Sequence, residues 1–542
     1  MQENHGLCNT CAKIVPARTA VRDGAVYLIK KCPECGVTET LISTHAKRYQ
    51  DKFSLDHVAP TAKKCALNCL KCAHPKNPDV VFMDITNRCN MNCPICITNV
   101  PKMKFLFEPG MEYFHKVFKY LSELNPKPTV QMFGGEPTVR EDLLQIVRLA
   151  RKTYGLNVRV ATNGIKLADK EYVRQLLDKK ARVMLSYDGG DPEMYRKIRG
   201  SAKWLDIKRQ ALQNVWEVGG QRITILTLVA KDYNANKLQD LLTFLHEKRS
   251  CLKQIYFLPL AHTWEKCDWD YDPEPMTTED VEEVVANSFP GENIQFWPAG
   301  MWGQMPAMLR CFDVKFVPFR GAHPGCESMY ILMSDGQKYV PMAHYVKTST
   351  NDVAQALLEM EKGLAKKVEA LDNGWWGRLL GRVGLKEKYL FLLGVRSMVS
   401  ALKPHVYLGR LIKGKGLAKV GHTFMAALEV LARRHMDNIR VRHTTIQDSL
   451  VLLMLPVDDR YCVETDRLKR CAAAWAVIDP DDDQVKTFPF CAWNVQPRHK
   501  EEIMRRLAAR YNKDKADGVA QTVAQGRPAE ALSTAAVAGA RS

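Results

Sequence analysis

The sequence predicts an α/β protein centred on a partial (β/α)6 TIM barrel, with a cysteine-rich unit before it and a cysteine-bearing helical region after it. Three observations predict this. Between residue 80 and about residue 260, six apolar, β-branched stretches alternate with amphipathic helical ones. The motif Cys89-Asn-Met-Asn-Cys93-Pro-Ile-Cys96 follows directly on the first stretch, Val80-Val-Phe-Met83, and loops after barrel strands are where active sites sit. Further cysteine groups lie on both sides of the barrel.

Length and charge frame these elements. The chain has 542 residues, seventeen of them cysteine, and a net charge of +18. That is room for several domains and a sizeable core. The positive balance points to an anionic partner. No apolar run approaches a membrane span, and the start Met-Gln-Glu-Asn-His lacks the apolar region of a signal peptide. The cysteines are therefore expected to be metal ligands of a cytoplasmic protein and not secreted-type disulfides. The organisation read from the chain is 1–50, 51–79, 80–260, 261–350, 351–440, 441–510 and a disordered tail at 511–542.

In the first unit, Cys8-Asn-Thr-Cys11 and Cys32-Pro-Glu-Cys35 stand twenty residues apart. Two such knuckles close a tetrahedral four-sulfur site, which makes this a rubredoxin-like or zinc-ribbon-like unit holding one iron or one zinc. A structural staple is the plainer reading and electron relay the other. Next, Cys65-Ala-Leu-Asn-Cys69-Leu-Lys-Cys72 offers three ligands to an auxiliary 4Fe–4S cluster, with His74 as a local candidate for the fourth.

The barrel strands are expected at 80–87, 129–134, 157–162, 181–187, 222–230 and 253–260. Polar residues gather at their ends. Gly134-Gly135-Glu136-Pro137 follows the second strand, where glycines let backbone approach a ligand and a carboxylate can hold an ammonium group. Thr162 and Asn163 end the third strand and can read a ribose hydroxyl. Ser186 and Asp188 end the fourth, followed by Arg199, a partner for a carboxylate. Tyr256 and Leu258 on the sixth offer an apolar wall, although plain barrel core is an equal reading. Cys89, Cys93 and Cys96 can reach three corners of a 4Fe–4S cluster and leave one iron open for a chelating molecule.

Beyond residue 260, Cys311 and His323-Pro-Gly-Cys326 precede a hairpin with an Asp335-Gly336 turn. Cys326, Cys462, Cys471 and Cys491 are candidates for a second auxiliary cluster, with buried free thiols as the plainer reading for each. Cys251 and Cys267 read as structural. Between Asn373 and His435, twelve Lys and Arg stand against two acids, a net +10, beside Trp375-Trp376 and Tyr389-Leu-Phe-Leu-Leu393. Such helices suit an anionic membrane interface. A solvated basic subdomain and nucleic-acid binding are the other readings.

The cluster triplet, the Gly-Gly-Glu-Pro motif and the strand-end series resemble the radical S-adenosylmethionine (SAM) superfamily. The resemblance implies that SAM chelates the open iron, with Gly134, Gly135, Glu136 and Pro137 on its amino group, and that the cofactors are SAM, three 4Fe–4S clusters and one mononuclear iron or zinc. The longer layout of cysteine groups is similar to archaeal tetraether lipid synthase and its bacterial relatives. It implies a lipid substrate and carbon–carbon coupling of two alkyl tails at the inner face of the membrane, with a donor such as ferredoxin or flavodoxin and no nucleic acid. The alternative is a radical SAM methyltransferase, or another enzyme modifying a pterin-like cofactor or a peptide. A non-enzymatic iron–sulfur carrier is the third reading, and it leaves the strand-end polar series without a purpose.

Overall fold

The computed structural model describes residues 4–58, 67, 78–98, 103–261, 274–315, 317 and 319–512. Cys65, Cys69, Cys72, His74, Cys267 and the expected tail from residue 513 onward lie outside these residues.

The first unit is a four-stranded antiparallel sheet of β1 (Asn4–Leu7), β2 (Ile14–Arg22), β3 (Ala25–Cys32) and β4 (Gly36–Ser43), followed by α1 (Ala46–Phe53). It is pinned to the body through buried charge. Lys52 of α1 is sunk between the carboxylates of Glu279 and Glu282, and Lys30 Nζ donates to the Tyr461 carbonyl.

The central layer begins with β5 (Val80–Thr86), which is buried on both faces, as a parallel strand between helices must be. There follow α2 (Met111–Glu123), β6 (Thr129–Gly134), α3 (Leu143–Arg148), β7 (Asn157–Thr162), α4 (Lys170–Asp178), β8 (Arg182–Ser186), α5 (Pro192–Arg199), α6 (Trp204–Val218), β9 (Ile223–Val229), α7 (Leu238–Glu247) and β10 (Leu252–Pro259). Local chemistry sets the helix starts. Asp169 accepts from Glu171 N at 2.8 Å at the head of α4, and Asp191 does the same for Glu193 N at 2.9 Å at the head of α5. Val81, Val130, Val158, Val183, Ile225 and Ile255, one from each strand, are all at 0–1% exposure in one apolar core.

The rest of the chain returns to this sheet. Its elements are α8 (Thr278–Asn287), β11 (Trp297–Pro298), α9 (Pro306–Cys311), β12 (Ser328–Ser334), β13 (Tyr339–Pro341), α10 (Thr350–Asn373), α11 (Trp375–Arg382), α12 (Lys386–Leu402), α13 (Leu408–Leu411), α14 (Gly416–Leu431), α15 (Met436–His443), β14 (Asp448–Met454), α16 (Thr465–Lys469), β15 (Ala473–Ile478), β16 (Val485–Pro489), α17 (Phe490–Asn494) and α18 (Pro497–Tyr511). The expected hairpin is present, with Ser334 opposite Tyr339.

The six expected strands all form, in chain order as neighbours, and the sheet then extends past them. β14 adds in parallel to β10, with Gln254 opposite Val451, and β15 adds in parallel to β5, with Val80 opposite Ala473. The 441–510 region, expected as a C-terminal auxiliary-cluster region, also supplies strands that extend the barrel sheet on both edges. Sequence periodicity marks a strand but not its partner, and these partners lie up to about four hundred residues away in the chain. The inner side of the α10–α15 stretch packs Leu357, Leu358, Leu364 and Leu390 against Trp297, Met301, Met305 and Met308.

Candidate active site

The cluster loop leaves β5 and is clamped before it reaches its first cysteine. Arg140, 1% exposed, donates to the Ile85 carbonyl at 2.6 Å and the Pro109 carbonyl at 3.0 Å. Glu108, also buried, receives Arg88 Nε at 2.6 Å and Thr86 Oγ1 at 2.9 Å. The loop then lies flat against the end of β6. Gly135 N donates to Thr86 O and Glu136 N to Arg88 O, each at 2.8 Å. A Cβ on Gly135 would sit 2.1 Å from Arg88 O, and one on Gly134, whose φ is +114°, would sit 2.3 Å from Thr86 O. Glycine is required there so that two backbone segments can touch. Met91 N donates to Cys89 Sγ at 3.4 Å, and Thr98 Oγ1 lies 3.1 Å from Cys96 Sγ.

The strand-end residues form one connected network. The Glu136 carboxylate accepts from Thr138 N and Oγ1, from Thr162 Oγ1 and, at 2.6 Å, from Asn163 N. Burial pushes its carboxyl up, and these donors pull it back. The carboxylate is thus engaged inside the chain, holding the β6 and β7 ends together, with Pro137 buried behind it. Asn163 Nδ2 reaches Asn90 Oδ1 in the cluster loop at 2.7 Å. Asp188, fully buried, takes Arg199 in a two-pronged pair at 2.7 and 2.8 Å. Arg199 in turn sits beside Cys93, whose thiol is pushed up by burial and drawn down by that guanidinium.

Two residues of this network escape a sequence reading. Lys208 Nζ donates to Asn163 O at 2.8 Å and Ser186 O at 2.7 Å, joining the β7 and β8 ends. Desolvation lowers it to about 8, against the pull of Asp188. The readable signal was its place among Leu205, Leu212 and Val215 on the buried stripe of α6. Arg159, 6% exposed, points its Nη1 at Tyr256 Oη at 3.4 Å, and Gln254 Nε2 donates to the same oxygen at 2.8 Å. An arginine inside a strand gave no such signal.

These residues surround a cavity of about 290 Å³. Cys89, Cys93, Cys96, Gly134, Gly135, Glu136, Thr162, Asn163, Ser186, Arg199, Tyr256 and Leu258 line it, and so do Cys326, Cys471 and Cys491 from the far end of the chain. Most of the remaining wall is apolar, including Phe82, Phe133, Phe319 and Phe490, with Thr98, Gln131, Arg159 and Glu327 as polar exceptions. Cys462 stands just behind, where Asp459 N donates to its Sγ at 3.2 Å, while Asp458 N donates to Cys491 Sγ at 3.4 Å.

Three of the late cysteines, Cys326, Cys462 and Cys491, lie beside the buried Arg467. Burial raises all four thiols, that of Cys471 to about 12. Arg467 pairs with Asp458 at 2.5 Å, yet its Nε and Nη2 are buried without a partner among the described residues. An unpartnered guanidinium edge among thiols fits a site completed by negative thiolate–metal charge. Cys326, Cys471 and Cys491, which line the cavity together, offer thiolates of the kind an iron–sulfur group takes. At the N-terminal unit, the sulfurs of Cys8, Cys11, Cys32 and Cys35 lie within 4.8 Å of one another, and backbone N–H groups of Cys11 and Thr10 favour the thiolate at Cys8. That geometry fits a single tetrahedral ion.

Comparisons with known proteins agree with this arrangement. Residues 83–245 match the radical SAM superfamily, and residues 2–44 match the HMPTM N-terminal zinc ribbon domain. The chain is 26% identical over 521 residues to the 7,8-dihydro-6-hydroxymethylpterin dimethyltransferase of Methanocaldococcus jannaschii, covering 93% of this chain and 94% of that one. It is 29% identical over 189 residues to the GTP 3′,8-cyclase of Pasteurella multocida, covering 34% of this chain and 53% of the cyclase. A solved radical SAM methyltransferase from Sphaerobacter thermophilus aligns with a TM-score of 0.31 at 15% identity over 50% of this chain and 73% of that one, too distant to carry an argument.

The chain thus carries a radical SAM core with a zinc ribbon before it. SAM, a 4Fe–4S cluster and an extra metal site are its cofactors. The expectation of a lipid-coupling enzyme is corrected by the full-length match to a protein named for pterin methylation. Cysteine spacing reports which metal groups a chain can hold, and the layout that resembled lipid synthases does not specify what fills the cavity. The lipid substrate and lipid-biosynthetic role fall with it.

Proposed function

We propose that this radical SAM enzyme is a methyltransferase acting on a pterin-like heteroaromatic substrate. The observation that carries the reading is the match across 93% of the chain to a pterin dimethyltransferase. When bound, one SAM and its cluster would supply a 5′-deoxyadenosyl radical, which takes a hydrogen atom from a C–H bond that no base can open, and a second SAM would supply the methyl group and leave as S-adenosylhomocysteine. The protein's own part is positioning and exclusion of water. Cys89, Cys93 and Cys96 present three thiolates on a loop fixed by Arg140 and Glu108. Arg199 and Lys208 place positive charge beside Cys93, which favours the thiolate needed for metal binding. The aromatic side chains on the cavity wall offer flat faces to a ring, and Gln131, Arg159 and Tyr256 offer hydrogen-bonding groups for its exocyclic atoms. A one-electron donor of the ferredoxin or flavodoxin type completes the scheme.

Reconstituted holoprotein, reductant, SAM and 7,8-dihydro-6-hydroxymethylpterin test the reading together. The expected result is a methylated pterin appearing with 5′-deoxyadenosine. Formation of 5′-deoxyadenosine without any pterin product would overturn it.

A further inference from the structure

The α10–α15 stretch carries apolar surface that the described residues do not cover. Helix α14 buries none of its residues. Leu417 is 89% exposed, and Val420, Phe424 and Leu431 follow it at 64%, 62% and 52%. Their spacing of three, four and seven places them on one helix face. Trp375 and Trp376 on α11 are exposed too. The Arg433 guanidinium, just past the end of α14, lies 4.6 Å from the centre of the Phe391 ring on α12. Twelve Lys and Arg against two acids make the stretch from Asn373 to His435 strongly positive. Soluble proteins rarely leave so large an apolar face open unless something covers it.

We infer that this face docks on an anionic lipid bilayer, lying in the interface without crossing it. Among the described residues no helix is long and apolar enough to span a membrane. A bilayer interface accepts both features at once: acyl chains take the leucines and Phe424, headgroup charge takes the lysines and arginines, and tryptophan settles between them. A nucleic acid would match the charge and leave the apolar face uncovered. A second copy of the chain would cover the face and bring two +10 surfaces together. The inference concerns where the protein works and is independent of the substrate reading above.

The test is sedimentation of the full-chain holoprotein with phosphatidylglycerol vesicles and with phosphatidylcholine vesicles, at low and at high salt. Binding at low salt should be at least tenfold stronger to the anionic vesicles and should fall steeply as salt is added. Phe424→Ser with Leu417→Ser should weaken vesicle binding about tenfold. Lys415→Glu with Lys419→Glu should do so mainly at low salt. Both pairs should leave SAM cleavage unchanged, because no residue of the site is touched. Absence of vesicle binding at low salt would overturn the proposal. So would equal binding to neutral vesicles, unimpaired binding by the serine pair, or sedimentation as a dimer that the serine pair dissolves.

Discussion

The barrel mouth and the α10–α15 stretch handle charge in opposite ways. At the mouth, charged groups are buried and each holds another in place. Asp188 fixes Arg199, Glu136 ties two strand ends, and Lys208 bridges two carbonyls. In the helical stretch most charges face solvent, Glu361 and His443 being buried exceptions, and the apolar side chains of α14 lie exposed. Buried charge needs exact partners because desolvation is costly, so the mouth is rigid and shaped for a small cofactor and substrate. Exposed charge is screened and interchangeable, so the helical stretch suits a broad, soft surface. The two regions respond to mutation accordingly.

The largest expected effect separates them outright. Changing Cys89, Cys93 and Cys96 together to Ala should abolish 5′-deoxyadenosine formation while leaving the zinc or iron of the Cys8, Cys11, Cys32 and Cys35 site in place. Metal analysis and a cleavage assay on the same sample read both. Activity surviving the triple change would remove the cluster from the mouth.

A single methyl group should be nearly as damaging in the rigid region. In Gly135→Ala the new Cβ meets the Arg88 carbonyl oxygen at 2.1 Å, and neither backbone segment is free to move. A cost of about 3 kcal/mol or more is expected, with loss of SAM binding by calorimetry. Gly421→Ala, on α14 with nothing near its Cβ, should be neutral or slightly stabilising. Equal effects at the two glycines would erase the contrast between the regions.

Buried charge also joins the N-terminal unit to the body. Lys52→Met leaves Glu279 and Glu282 facing each other without a cation, at 2% and 1% exposure. Removing one partner of a buried ionic group costs about 3–5 kcal/mol. The expected readout is a separate, earlier melting step in scanning calorimetry, with metal still bound at the four cysteines. An unchanged single transition would show that the ribbon is held by its metal and the Lys30 contact to Tyr461 without Lys52.

What the sequence could and could not disclose follows the same division. Strand positions were legible, since parallel strands are continuous apolar runs: the second and third strands form where they were expected, at 129–134 and 157–162, and the others shift by only one residue at an end. The cluster loop and its glycines were legible because spacing and residue type report them directly. The addition of β14 and β15 was not, since pairing between distant segments leaves no local trace. Lys208 and Arg159 were missed because a charged residue in a helix or strand is usually on the surface; here strand-end carbonyls and Tyr256 Oη satisfy them inside. The approach of Cys326, Cys471 and Cys491 to the same cavity as the SAM-motif cysteines was a matter of tertiary placement that only the folded chain displays.

The smallest expected effect lies where the two regions meet. Asp372, at the end of α10, pairs with Arg310 of α9 and, at 2.9 Å, with Lys386 at the start of α12. Arg310 chiefly, and then Lys386, hold the Asp372 carboxyl at about 2, against an ordinary value of 3.8. A carboxyl lowered on folding stabilises the fold above its unfolded value and loses that contribution as pH drops through its folded value. The contribution should therefore be complete above about pH 5 and be lost progressively between about pH 5 and pH 1. Arg310 is nearly half exposed, so solvent screening limits the pair to about 0.5 kcal/mol. Asp372→Asn should lower the stability of the helical stretch by about that amount at pH 7 and low salt, and by nearly nothing in high salt or at pH 2. Hydrogen exchange at the α10–α12 junction would report it locally. A loss that persists in high salt would mean that this junction belongs energetically to the rigid, buried region and not to the screened one.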